Sequence, residues 1–177
     1  NTLSNILRGD RQFVYEFSET DPYQKSRSDL LFRPPGLPAP NYNNISKKGE
    51  GILIYFPRNH PAIMPVIEAI SALPIQAIGY LGGYRPRVAS NIMIFDNPLN
   101  FSSTIPCSSL IIHHGGAGIS KWCMINKKPQ LLFPIDAEKK ILASSMKRNN
   151  YGEAIYPSSV GLIGKYIEKW INRKIDG

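Results

Sequence analysis

The chain has 177 residues, 42% of them hydrophobic, and a formal net charge of +8 at pH 7. These values predict one globular domain with a core of ordinary size, and no apolar run approaches the roughly 18 residues of a membrane span. Cys107 and Cys123 stand alone in apolar surroundings. This pattern excludes a disulfide framework and predicts free thiols in a reducing, cytoplasmic compartment. The chain shows no signal peptide and begins at Asn1, so we expect a piece of a longer protein.

The excess of basic residues favours anionic partners such as phosphates, nucleic acids or an acidic membrane surface. Lysine and arginine are scattered along the chain and are not interleaved with aromatic side chains. A nucleic-acid-binding surface requires that interleaving or a recognisable reading helix. We therefore expect no nucleic-acid partner, and peripheral association with a membrane stays open.

The first 50 residues form no regular pattern of strands and helices. Leu3, Ile6 and Leu7 indicate a short helix, and residues 12–17 an isolated strand without a partner in the chain. Residues 1–32 are therefore interpreted as a remnant of another domain. Four prolines in residues 33–43 predict an extended linker over 33–50.

Residues 51–177 alternate between strands and helices. Strands are predicted at 51–56, 75–80, 91–95, 109–113, 130–133 and 153–155. Helices are predicted at 61–73, 118–127, 138–149 and 159–173, with Ser158 and Ser159 capping the last. This alternation indicates an α/β fold, a Rossmann-like parallel sheet with helices on both faces. Ligands of such sheets bind beyond the carboxyl ends of the strands, where Arg58 also lies.

The most informative stretch joins a buried strand to a helix through glycines. Leu110-Ile111-Ile112 suits a strand covered on both faces, and glycines follow at 115, 116 and 118. The free N–H groups of the next helix bind anions, which predicts a phosphate site with His114 as a further donor. The alternative is a tight turn whose glycines serve packing only. His113 faces the opposite side, so the two histidines do not share a metal ion, and we predict no metal site.

The spacing of several motifs resembles one known family. His114-Gly115-Gly116-Ala117-Gly118 is followed by Pro129-Gln130-Leu131-Leu132 and Phe133-Pro134, and preceded by Phe95-Asp96-Asn97-Pro98-Leu99. In this spacing, residues 51–177 resemble the C-terminal, donor-binding half of GT-B glycosyltransferases of the UDP-glucosyl, UDP-glucuronosyl and macrolide glycosyltransferase lineage. Residues 17–23 and 32–36 resemble the end of the acceptor domain and the interdomain linker of those enzymes.

The resemblance implies the donor half of an inverting glycosyltransferase that uses a nucleotide diphosphate sugar, with UDP expected, and no cofactor. The diphosphate would contact His114, Gly115, Gly116, Gly118, Ile119, Ser120 and, from its place at the sheet edge, Arg58. The base would contact Asn97, Pro98 and Leu99, and the sugar Asp136, Glu138 and Lys139. The catalytic base and the acceptor pocket belong to the N-terminal domain, which the chain lacks, so we expect the chain alone to be inactive.

Three positions depart from the family pattern. Ile119 stands where many relatives have Ser or Thr, Trp122 where they have a ribose-binding Glu, and Glu138-Lys139 where they have Asp-Gln. We therefore keep a second hypothesis, a non-catalytic nucleotide- or anion-binding module with the same fold.

Overall fold

A computed structural model describes residues 14–15, 17–21, 24–26, 31–32, 51–171 and 173–175. The predicted linker and the predicted helix near Leu3 lie outside these residues. β1 (Val14–Tyr15) pairs in parallel with β2 (Leu31–Phe32). The expectation that the first strand has no partner in the chain is therefore wrong. A two-residue strand such as β2 leaves no periodic pattern by which sequence analysis recognises it.

The main sheet contains the six strands predicted between residues 51 and 155. They are β3 (Gly51–Tyr55), β4 (Gln76–Tyr80), β5 (Ile92–Phe95), β6 (Leu110–His113), β7 (Gln130–Leu132) and β8 (Gly152–Ala154). All pair in parallel, in the order β5-β4-β3-β6-β7-β8. This is the order of the doubly wound dinucleotide-binding fold, in which the chain leaves one half of the sheet and resumes on the other side of its first strand.

Helices cover both faces of the sheet, as predicted. They are α1 (Ile63–Ser71), α2 (Phe101–Cys107), α3 (Ala117–Ile125), α4 (Ala137–Arg148) and α5 (Ile163–Trp170). α1 and α5 bury their apolar faces against Ile52 and Ile54 on one side. α2 and α3 pack against Leu53 and Ile111 on the other side, and α4 packs against Leu132 of β7. Among the described residues no helix is long and apolar enough to span a membrane.

Two helices differ from the sequence prediction. α2 was not predicted, because its serines, threonine and Pro106 are poor helix formers; the Asn100 side chain caps it by accepting from the Ser102 N–H. The last predicted helix begins instead as a 3₁₀ helix, Pro157–Leu162, and becomes α-helical only at Ile163. Ser158 and Ser159 lie inside that turn, so the prediction that they cap the helix is wrong.

A short turn from the N-terminal part of the chain contacts the main sheet and its helices. Phe17 is buried in a cluster with Leu132, Leu142 and Met146. The Ser145 hydroxyl of α4 donates to the Glu19 carbonyl. The hydrophobic contacts of α4 therefore include a residue that precedes the linker.

Candidate functional site

The site lies where the carboxyl ends of β3 and β6 meet at the centre of the sheet. β3 leads into Pro57 and Arg58, and β6 leads into the glycine loop, defined here as His114–Gly118. The helices that follow these two strands, α1 and α3, lie on opposite faces of the sheet. In doubly wound folds, this divergence of helices opens a crevice that is the usual ligand position.

The buried side chain of His113 is hydrogen-bonded to the backbone of the glycine loop. Its Nδ1 accepts from the Gly115 N–H at 3.1 Å, so its Nε2 carries the proton and donates to Gln130 Oε1 at 2.9 Å. Burial lowers the pKa of His113 to about 3, and the ring is therefore neutral at pH 7. Gly115 has φ +84°, a conformation that favours glycine. The structure thus gives His113 a role in the loop's shape, on the side away from the crevice.

The first turn of α3 presents unpaired backbone donors. Gly116 occupies the N-cap position, and its carbonyl accepts from the Ser120 N–H at 3.1 Å. Within the described part of the chain, the N–H groups of Ala117, Gly118 and Ile119 have no acceptor, as the first turn of a helix requires. A Cβ added at Gly118 would point into open space. Three donors therefore stand at the positive end of the helix dipole, next to a glycine that packing does not require.

The His114 ring lies against the start of that helix. A Cβ on Gly116 would come within 2.6 Å of His114 Nε2, so only glycine leaves room for the imidazole. His114 Nδ1 is buried and has no hydrogen-bond partner in the described structure. Burial lowers the pKa of His114, and the positive charge of Lys139 lowers it further. The Tyr55 carbonyl acts in the opposite direction and raises this pKa. A neutral imidazole offers one N–H donor to a ligand at this position.

Arg58 follows β3, and the predicted base-binding residues follow β5, on the β3–β4–β5 side of the sheet. Arg58 is exposed, and Gly82, at φ +60°, approaches it so closely that a Cβ there would lie 2.2 Å from the Arg58 backbone nitrogen. Asn97 and Pro98 are exposed, and Leu99 packs against the cluster that contains Leu53 and Ile111.

The aromatic rings of Tyr55, Tyr80 and Phe101 lie together, and that of Tyr55 is also close to His114. The Tyr55 ring centroid lies 4.9 Å from that of Phe101, 5.5 Å from that of Tyr80 and 6.3 Å from that of His114. Sequence analysis did not single out Tyr55, because an aromatic residue at the end of a buried strand carries no signal of its own.

The predicted sugar-binding residues lie at the start of α4. The Asp136 carboxylate caps the helix by accepting from the Lys139 N–H at 3.0 Å, and it also pairs with the Lys139 ammonium group. These contacts with Lys139 lower the pKa of Asp136. A Cβ on Gly115 would lie 3.5 Å from Lys139 Cβ, which places this pair beside the glycine loop. Glu138 is exposed.

Ile119, Ser120 and Trp122 lie on α3, and their side chains contact the protein interior. Ile119 is buried beside Cys123, so only its backbone faces the crevice. Ser120 is fully buried and its N–H is already donated, which removes it from the set of free backbone donors. Trp122 is half-buried and packs against the same cluster as Ile119.

His60 is a structural residue that sequence analysis missed. Its Nδ1 accepts from the Ala62 N–H at 3.2 Å and its Nε2 donates to the Phe133 carbonyl at 3.1 Å, 73 residues away in the sequence. Burial lowers the pKa of His60 to about 4. Within the described ranges, His, Cys, Asp and Glu side chains form no group of three that could hold a metal ion.

Comparison with solved structures identifies the fold. The chain superimposes on the glycotransferase of kitacinnamycin (TM-score 0.73, 14% identity, 92% of this chain and 46% of that one) and on the calicheamicin glycosyltransferase CalG4 (0.67, 16%, 91% and 45%). It also superimposes on the spinosyn rhamnosyltransferase SpnG complexed with thymidine diphosphate (0.64, 16%, 87% and 47%). The chain therefore has the Rossmann-like fold of these GT-B glycosyltransferases and spans less than half the length of each. Comparisons with family models and with curated proteins gave no match.

Proposed function

We propose that the chain is the donor-binding half of an inverting glycosyltransferase and holds a nucleotide diphosphate sugar, with UDP as its nucleotide. The observation that carries the proposal is the convergence of three unpaired N–H groups and the neutral His114 ring on one crevice at the topological switch point. The fold shared with SpnG, which was solved with thymidine diphosphate, supports a pyrimidine nucleoside diphosphate as the ligand class.

The donors of the glycine loop suit the chemistry of sugar transfer. The nucleoside diphosphate gains negative charge as the glycosidic bond breaks, so donors fixed at the diphosphate stabilise the transition state more than the ground state. The helix terminus supplies about 0.3–2 kcal/mol, and a hydrogen bond from His114 to a charged phosphate about 1.5–3 kcal/mol. Acceptor activation would come from a second domain, and this half orients only the donor.

The contacts at the start of α4 favour a second candidate, a non-catalytic anion-binding module. Lys139 already pairs with Asp136, the carboxylate expected to bind the sugar, and Trp122 supplies no acceptor for ribose hydroxyls. A module of this kind would bind the diphosphate alone. The two candidates differ in whether the sugar of the donor adds to affinity.

Replacement of Gly118 by alanine tests the diphosphate site. The new methyl group meets no protein atom and favours the helix, so we expect Gly118→Ala to stabilise the fold by up to about 1 kcal/mol. The same methyl group would stand in front of the free N–H groups and weaken UDP binding. Gly164→Ala is the matched control, because Gly164 also lies in a helix with open space around it. Both variants should melt at higher temperature, and only Gly118→Ala should lose affinity in calorimetric titration.

His114→Ala completes the test and should weaken UDP binding by about 1–3 kcal/mol. Absence of UDP and thymidine diphosphate binding by the unmodified chain would contradict the whole proposal. Equal affinity for UDP and a UDP-sugar would favour the non-catalytic module over the glycosyltransferase.

A further inference from the structure

The Lys139 side chain is held against the first turn of α4 by a single carboxylate. Oδ1 of Asp136 accepts from the Lys139 N–H at 3.0 Å, and Oδ2 of the same group pairs with the Lys139 ammonium group. Only 26% of the Lys139 side chain is exposed, whereas its neighbour Lys140 is an exposed residue. The Lys139 side chain is therefore already ordered, and it loses little conformational entropy when it binds a ligand.

The ordered lysine lies beside the glycine loop. A Cβ on Gly115 would lie 3.5 Å from Lys139 Cβ and 3.8 Å from the Lys139 carbonyl oxygen. The positive charge of Lys139 also lowers the pKa of two histidines, His114 in the loop and His60 after β3. Because the interaction between charges weakens with distance, an effect on both rings places the ammonium group near the proposed diphosphate site.

A diphosphate carries more negative charge than the donors described so far can balance. The start of α3 supplies about half a positive charge, and His114, whose pKa is lowered, is neutral at pH 7. A lysine ammonium group binds phosphate as a point charge and has several N–H donors. Asp136 accepts only part of this donor capacity, so Lys139 can donate to a phosphate without leaving Asp136.

The order of the strands indicates which phosphate Lys139 would meet. The predicted base-binding residues 97–99 follow β5, the glycine loop follows β6, and α4 follows β7. In the sheet, β5 and β7 lie on opposite sides of β6. A nucleotide with its base beyond β5 and its diphosphate at the glycine loop therefore directs its terminal phosphate toward the start of α4.

We propose that Lys139 binds the β-phosphate of the nucleoside diphosphate and that Asp136 positions the Lys139 ammonium group for this contact. The inference rests on the proposed diphosphate site, and it assigns Lys139 to the phosphate instead of the sugar. This one charged contact would make the chain prefer a nucleoside diphosphate to the corresponding monophosphate.

Calorimetric titrations with UDP and with uridine monophosphate test the assignment. The monophosphate lacks the β-phosphate, so Lys139→Gln should weaken UDP binding about tenfold and leave monophosphate binding unchanged. Lys140→Gln is the matched control, because it removes the same charge from the adjacent, exposed position of α4. Its affinities for both nucleotides should equal those of the unmodified chain. Glutamine and lysine are similar helix formers, so both variants should melt as the unmodified chain does.

An equal effect of Lys139→Gln on the two nucleotides would overturn the inference. Equal losses of UDP affinity in Lys139→Gln and Lys140→Gln would overturn it too, since they would reflect net charge alone. Unchanged UDP binding combined with weaker binding of a UDP-sugar in Lys139→Gln would return Lys139 to the sugar. All three results leave the proposed diphosphate site intact, whereas absence of UDP binding by the unmodified chain would contradict that site and the inference together.

Discussion

Replacement of His113 should damage both the stability of the fold and the shape of the glycine loop. The imidazole is fully buried between the Gly115 N–H and Gln130 Oε1. His113→Ala leaves both groups buried without a partner, at about 1–3 kcal/mol each, and opens a cavity as well. We expect the free energy of unfolding to fall by about 3–5 kcal/mol, as measured by urea denaturation.

His113→Asn separates the two contacts. The asparagine Oδ1 stands close to the position of Nδ1 and can still accept from the Gly115 N–H, whereas the shorter side chain loses Gln130. We therefore expect a smaller loss of stability, about 1–3 kcal/mol, and UDP affinity nearer to that of the unmodified chain. His113→Ala should lose affinity in addition, because the loop backbone is no longer fixed.

Two results would refute this reasoning. A loss below about 1 kcal/mol in His113→Ala would mean that the buried contacts contribute little to the fold. Identical UDP affinities in the alanine and asparagine variants, with both folded, would mean that the Gly115 contact does not shape the binding loop.

Further predictions concern acid stability and α3. The pKa values of about 3 for His113 and about 4 for His60 lie below the unfolded value of 6.5, so the unfolded chain takes up protons first as the pH falls. The free energy of unfolding should be highest above pH 6.5 and decline below it toward pH 4, by up to about 1.4 kcal/mol per pH unit for each histidine. Urea denaturation of His113→Asn at several pH values should show a shallower decline than that of the unmodified chain. An equal decline in the two proteins would contradict the assignment of this pH dependence to His113. Trp122→Glu should lower the free energy of unfolding by about 2–4 kcal/mol without tightening UDP binding, because Trp122 packs against the interior. Tighter binding in a stable variant would instead place Trp122 at the ribose.

The sequence predicted the sheet well because its central strands, β3 and β6, are buried on both faces. Ile52, Ile54, Ile111 and Ile112 form apolar runs that only a covered strand explains, and glycines follow where the chain turns. The strand order could not be derived from these runs, since pairing between β3 and β6 depends on contacts remote in sequence. Helix α2 was not predicted because several of its residues are poor helix formers.

The candidate site was predicted unevenly. The glycine loop has a local pattern, and in the structure the N–H groups of Ala117, Gly118 and Ile119 lie unpaired at the start of α3. That these groups bind a diphosphate stays a prediction. Partners remote in sequence left no such signal: the bond from His60 to Phe133 spans 73 residues, and the pairing of Lys139 with Asp136 depends on side-chain orientation rather than on spacing alone.

The burial of Phe17 in the α4 cluster bears on how the chain can be divided. Closing the loop between Phe17 and Gly51 on an already folded sheet costs roughly 3 kcal/mol in chain entropy, and burying one phenylalanine returns about 1.5–3 kcal/mol. The entropy cost and the gain from burying Phe17 are therefore of similar size. Other contacts of the turn, including that of Ser145 with Glu19, decide whether the turn stays packed against α4. A truncation at the proline-rich segment would expose the apolar residues of α4 that Phe17 covers, including Leu142 and Met146. Expression of such a shortened chain should show more self-association than the full 177 residues.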